Sequence, residues 1–280
     1  MESFASVLAR QPEIDFTPRL SADHIAEFRE RGFTAIERIT SDEEIAWLGD
    51  LYDLLFGERT QPVPGGYFDL VRPYDSPGDD LQPQIIAPEV RFEELRRTAF
   101  WRNGKTVAAA LLGVDASALR GWGHMILKPP RIGGSLPWHQ DEGYWDPGFD
   151  YVALGCWMPL DPATVESGCM SFIPGSHRGE VRVHRHLDDD PTVHALVIDD
   201  IDASTAVPVP VAAGGAVFHH CRIVHSSGPN RSARVRRAYA NEWQLEPAPR
   251  PTPASRPWID AGKRAWEERG KPSHDKPSDG

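Results

Sequence analysis

Pro137-Trp138-His139-Gln140-Asp141-Glu142-Gly143-Tyr144-Trp145 is the stretch on which the reading of this chain turns. Side chains alternate along an extended segment, so His139 and Asp141, two apart, point to the same face. One neutral imidazole and one carboxylate then converge, as a metal ion requires of two neighbouring ligands. The triplet alone is a weak signal, because most such triplets are surface residues. Its surroundings are more specific. Short β-like runs broken by Pro and Gly flank it: Gly121 to Lys128, Tyr151 to Met158, Cys169 to Ile173, Ala216 to His220 and Arg236 to Gln244. Such strands predict a mainly β domain with flanking helices, a double-stranded β-helix (jelly roll, cupin-like) built from Leu119 to Gln244.

Upstream the texture is helical. Ser21 precedes a run with Ile25 and Phe28 on one face, and Ser41-Asp42-Glu43-Glu44 has the spacing of a capping box. Phe33 to Ile39 alternates like a half-buried strand between them, and a further helix is expected from Lys105 to Leu112. The stretch from Thr60 to Pro83, rich in Pro, Gly and Asp, reads as a long loop at the substrate entrance. The expected domain is 1–245, followed by a Pro-rich, partly disordered tail, 246–280, with a short helix near Ala261 to Glu268.

Across the 280 residues, 30 Lys+Arg stand against 41 Asp+Glu, a formal charge of −11. That balance argues against nucleic acid as a partner. The longest apolar run, Val107 to Leu112, is too short for a bilayer, so no membrane partner is expected. Three cysteines without a C-x-x-C, and a start lacking signal-peptide character, point to a cytoplasmic protein without a disulfide framework. The oligomeric state is left open.

A third ligand must come from Gly214 to Asn230, which holds His219, His220 and His225, and Arg236 lies eleven residues after the last of these. Two His and one carboxylate describe the facial triad of non-haem Fe(II) oxygenases, and an arginine fork could hold a dicarboxylate. The bland reading is a hydrogen-bonded core histidine and a solvated arginine.

The ordered motifs tip that balance. Lys128-Pro129-Pro130, His139-x-Asp141, Trp157, Glu166-Ser167-Gly168, Pro174-Gly175-Ser176-His177 and His225-Ser226-Ser227-Gly228-Pro229-Asn230 with Arg236 span most of the chain. This set resembles the phytanoyl-CoA dioxygenase family of Fe(II)/2-oxoglutarate-dependent oxygenases, departing at Ser167, where many members carry Asn. The resemblance implies His139, Asp141 and His225 as iron ligands. It implies Arg236 as partner of the distal carboxylate of 2-oxoglutarate, with Ser227, Trp157, Gln84 (or its rival Gln82) and Met125 near the cosubstrate. It further implies that dioxygen and 2-oxoglutarate are consumed, that succinate and CO2 are released, and that a small-molecule substrate is hydroxylated. The carboxylate of Asp141 disfavours halogenation, in which relatives carry a small residue at this position.

His219 and His220 are expected to be structural, His177 to shape its turn, and His184, His186 and His194 to lie in a solvated loop. Arg178, Arg182, Arg185 and Arg231 could greet an anionic substrate such as a CoA thioester, or be surface charge. Two other classes stay open: a non-catalytic metal-binding or sensor protein on the same fold, and a zinc-dependent hydrolase with Glu142 as base.

Overall fold

A computed structural model of the chain describes residues 3–269. Two antiparallel sheets face each other in a jelly roll. The larger has seven strands in the order Phe33–Ile36, Ala216–His220, Ala153–Pro159, Arg236–Gln244, Arg120–Lys128, Pro83–Ile86 and Tyr67–Asp69. The smaller has four: Val207–Val209, Met170–Phe172, His225–Ser227 and Leu136–His139.

Alternation sorts the central strand. Tyr239 and Trp243 join the core beneath the helices, whereas Ala238 and Ala240 join the core between the sheets. The helices Asp42–Gly57 and Ala99–Leu112 cover the outer face of the large sheet, where the rings of Phe100 and Tyr239 lie 5.2 Å apart and those of Trp101 and Trp243 5.0 Å.

The helix expected from Lys105 begins earlier, at Ala99, because Thr98 caps it: its hydroxyl accepts from the Trp101 amide at 3.1 Å. The expected capping box at Ser41 is half-formed. Ser41 Oγ accepts from the Glu44 amide, but the Glu44 carboxylate reaches across to accept from the Ala99 and Phe100 amides at 2.6 and 2.9 Å. A fully buried carboxylate thus meets the positive end of the next helix, which is where a buried charge finds donors.

The stretch from Thr60 to Pro83 is not one long loop. Tyr67–Asp69 forms the edge strand of the large sheet, and Pro73 bridges Val193. The expected tail also differs over its described part. Pro257–Glu268 is a helix, longer than expected, with Trp258 and Ile259 buried. Arg256 leads into it and pairs with the buried Glu142 at 2.8 Å. Apolar anchors and a buried ion pair outweigh the prolines that suggested disorder; residues 270–280 lie outside the described residues. Among the described residues, no helix is long and apolar enough to cross a membrane.

Candidate active site

Between the sheets, three side chains meet. His139 ends the strand Leu136–His139, Asp141 follows in the turn, and His225 opens the neighbouring strand as the cross-strand partner of His139. One ligand atom from each lies within 4.8 Å of the others. His139 Nε2 is 3.7 Å from Asp141 Oδ1, and His225 Nε2 is 3.5 Å from the same oxygen. The second ring nitrogens are occupied: His139 Nδ1 donates to the Pro137 carbonyl at 2.7 Å, and His225 Nδ1 to that of Ile223 at 3.1 Å. Those bonds leave both Nε2 lone pairs aimed at Asp141, the tautomer a metal ligand needs.

Burial favours this state. Desolvation, aided by the neighbouring His225, pushes His139 down to about 3, and His225 is lowered by the same loss of water. For Asp141 burial alone would raise the pKa, but His225, His219 and His139 outweigh it and hold the carboxyl below its usual range. Two further lining histidines, His124 and His194, are pushed down by burial to about 4 and about 3, and so are neutral at neutral pH.

His219 is not a member of the His139–Asp141–His225 set. Its Nε2 bonds Asp141 Oδ2 at 3.0 Å, orienting the carboxylate from behind. Gly155 makes room for it: a Cβ there would sit 2.4 Å from the His219 ring. His220 Nδ1 accepts from the Arg222 amide, and His177 packs its ring near the Arg29 carbonyl, both outside the cavity. His184 and His194 are not in a solvated loop. His184 Nε2 accepts from the Gln140 amide at 3.1 Å, and His194 stacks on Tyr144 at 5.1 Å.

The cavity holding the three side chains is also lined by Arg236, Trp157, Ser227, Gln82 and Glu242. Arg236 is 1% exposed, with Nε and Nη1 lacking any partner, and its guanidinium lies 5.2 Å over the Trp157 ring. Desolvation lowers it to about 10, so it stays cationic at neutral pH. Arg237, on the opposite face, pairs with Asp161 at 2.8 Å and with Asp53. Ser227 Oγ accepts from Lys128 Nζ at 2.8 Å, and Lys128 also donates to the Ser227 and Gly228 carbonyls. The turn at Gly168 presses on this corner: a Cβ there would lie 2.2 Å from the Gly228 carbonyl oxygen, at a φ of +81°.

Two expectations shift. Met125 does not face the cavity; it pairs with Tyr239 and is buried among the helix-side core, while its neighbours His124 and Ile126 line the site. One step along a strand reverses the face. Gln84 does face inward but lines the adjoining chamber near His124, whereas Gln82 lines the cavity with its Oε1 unpartnered. Glu142 cannot serve as a base, because Arg222 and Arg256 bind it at 2.6 and 2.8 Å in full burial. Lys128 was read from sequence only as part of the Lys128-Pro129-Pro130 motif, without this role, and Glu242, with the second set Asp141, His219 and Glu242, was not singled out. Glu242 is raised well above its usual range by burial and by Asp141.

The profile of the phytanoyl-CoA dioxygenase (PhyH) family matches residues 28–238. Phytanoyl-CoA dioxygenase domain-containing protein 1 of Bos taurus is 39% identical over 118 residues, 41% of this chain; the match spans only 40% of that relative's length. A probable alpha-ketoglutarate-dependent hypophosphite dioxygenase of Stutzerimonas stutzeri is 26% identical over 80% of each chain. Among solved structures, EvdO2 from Micromonospora carbonacea var. aurantiaca, complexed with 2-oxoglutarate, superposes with a TM-score of 0.77 at 39% identity, covering 88% of this chain and 100% of its own.

Proposed function

The chain belongs to the phytanoyl-CoA dioxygenase family, and on that premise we propose that it is an Fe(II)/2-oxoglutarate-dependent dioxygenase. It hydroxylates, or otherwise oxidises, a small-molecule substrate and releases succinate and CO2. The observation that carries this reading is Arg236: a fully buried guanidinium with two unpartnered nitrogens, in the same cavity as two imidazoles and a carboxylate. A buried cation of this kind is costly unless an anion arrives to pair with it, and a dicarboxylate supplies one.

The donor set fits iron. His139, Asp141 and His225 offer two neutral nitrogens and one oxygen, the facial triad with open positions, and no thiolate. Bound there, Fe(II) would supply the centre at which dioxygen and 2-oxoglutarate react. The chain's own residues do the rest. Arg236 holds the distal carboxylate as a fork, and Trp157 under it fixes the plane of that fork. Ser227 lies beside it, its hydroxyl directed by Lys128. Gln82 offers an unpartnered oxygen to the same cavity. His219 holds Asp141 from behind, so that one carboxylate oxygen stays turned to the two Nε2 atoms. Ile126, Leu136 and Met170 keep water from the walls. Because Asp141 is a carboxylate, no position is freed for a halide, and hydroxylation is favoured.

A zinc hydrolase gives no role to Arg236 and lacks a base, since Glu142 is bound to two arginines. Succinate formation from 2-oxoglutarate, measured with Fe(II) under air and under argon, tests the proposal. Release that needs both iron and air supports it; release of no succinate with any metal refutes it.

A further inference from the structure

Two chambers lie beyond the cavity that holds Arg236, an inner one that reaches the cluster and an outer one next to it. The inner one, about 180 Å3, opens onto His139 and Asp141 and has Trp122, Tyr144 and Trp145 in its walls. Among the described residues, no Lys or Arg lines it. An anionic group entering it would lose its water, find no counter-charge and face Asp141. The outer chamber, about 250 Å3, lies beneath the helix Pro257–Glu268, walled by Tyr74, Trp258 and Trp266, with one cation and one carboxylate, Lys263 and Glu267, also in its lining. Tyr144 and His194, stacked with planes 10° apart, line both chambers, so the two spaces adjoin at this ring pair.

The arginines that could have met an anionic thioester are elsewhere. Arg185 forks onto Asp199, Arg182 donates to the Asp200 carbonyl, and Arg178 to that of Glu30. None of these, nor Arg231, lines either chamber. The flat walls suit ring faces, which stack on indole and phenol surfaces with little ordering cost.

We infer that the substrate is an uncharged molecule of at least two linked rings, its reacting ring in the inner chamber and its second ring in the outer one, against Trp258 and Trp266. This rests on the oxygenase reading. The outer chamber is then a specificity subsite built by the C-terminal helix.

Calorimetric titration of the Fe(II)- and 2-oxoglutarate-loaded protein under argon tests this with matched probes. They are 4-cyclohexylphenol (two rings, uncharged), 4-cyclohexylbenzoate (two rings, anionic) and 4-methylphenol (one ring). Binding of the uncharged two-ring probe at least tenfold tighter than either of the others is expected. Gly262→Leu narrows the outer chamber, since its Cβ meets the His186 ring at 3.0 Å, and Trp266→Ala strips one wall. Each should weaken the two-ring phenol at least tenfold and leave 4-methylphenol as it was, which also reports an intact inner chamber. Equal or tighter binding of the benzoate, no binding of 4-cyclohexylphenol, equal effects of the variants on both phenols, or succinate release stimulated by palmitoyl-CoA overturns the inference. Failure of the wild-type protein to bind 2-oxoglutarate would instead refute the oxygenase reading, and the probe titrations stand apart from it.

Discussion

Arg236 and Lys128 are direct partners across two neighbouring strands, and both are fully buried. Two basic side chains therefore sit side by side at one edge of the site. Lys128 is satisfied by the Ser227 hydroxyl and by carbonyls, and burial together with Arg236 lowers its pKa well below the ordinary value. Arg236 has no carboxylate partner in this arrangement, so the free protein holds a positive charge that only a ligand can neutralise.

From that follows the first prediction. Arg236→Met removes an unpaired buried charge, so the protein without cosubstrate should melt at the same temperature or higher. The stabilisation that 2-oxoglutarate gives the wild type should vanish, with affinity falling by about two orders of magnitude or more. Arg237→Ala should do the reverse: it loses the Asp161 fork and about 1 kcal/mol of stability, with 2-oxoglutarate affinity unchanged. Thermal shift with and without 2-oxoglutarate reads both.

His225→Ala is expected to abolish Fe(II) binding while the fold persists, because beyond the cluster the imidazole gives up only its stacking on Phe172 and one bond to the Ile223 carbonyl. Iron titration followed by absorbance of the 2-oxoglutarate complex would show no band, and far-ultraviolet circular dichroism would be unchanged. His219→Ala, by contrast, should weaken iron binding about 10- to 100-fold without eliminating it, as expected for a group that orients a ligand.

Glu44→Ala should cost about 3 kcal/mol, since a buried carboxylate bond to two amides and a hydroxyl is lost. Affinity for 2-oxoglutarate should not move, as Glu44 lies on the far side of the large sheet. Urea denaturation alongside ligand titration separates the two effects.

Arg256→Ala should release the helix Pro257–Glu268. Glu142 keeps Arg222 but loses its second buried partner, a loss of about 3 kcal/mol. Amide exchange in 257–268 should rise more than in the strands.

The metal-free protein should lose stability as pH falls below about 6.5, the unperturbed histidine value. His184, His220 and His124 are pushed down to about 4, and His194 and His139 to about 3, all chiefly by burial. The unfolded chain therefore binds more protons between about pH 4 and 6.5, and each imidazole removes up to about 1.4 kcal/mol per pH unit in that window. Glu242, raised by burial, opposes this with one proton. A melting temperature that rose between pH 7 and pH 5 would contradict the assignment of these histidines as buried and neutral.

His139, Asp141 and the strand Arg236–Gln244 were legible because each carries its information locally: a period of two, or a fixed spacing after His225. Glu242 was not, since Asn241-Glu242-Trp243 has no pattern, and only the fold brings it to His219 and Asp141. Met125 failed by parity, because His124, Met125 and Ile126 are all compatible with either face until the pairing with Tyr239 is known. Arg256 and Glu142 lie 114 residues apart in sequence, and no local rule links them.

Gly168 and Ser167 are neighbours with unequal freedom. Ser167 uses its hydroxyl to tie the Thr164 amide and the Pro162 carbonyl within its own turn, work that another small polar side chain can perform. Gly168 is pressed on the Gly228 carbonyl, one of the oxygens that hold Lys128. Among inherited variants of this chain, drift at 167 should be tolerated. Even an added methyl at 168 would push on the corner where Lys128 is tied down beside Arg236, so if Arg236 holds the cosubstrate as proposed, a lesion there would be felt first as a lost appetite for 2-oxoglutarate.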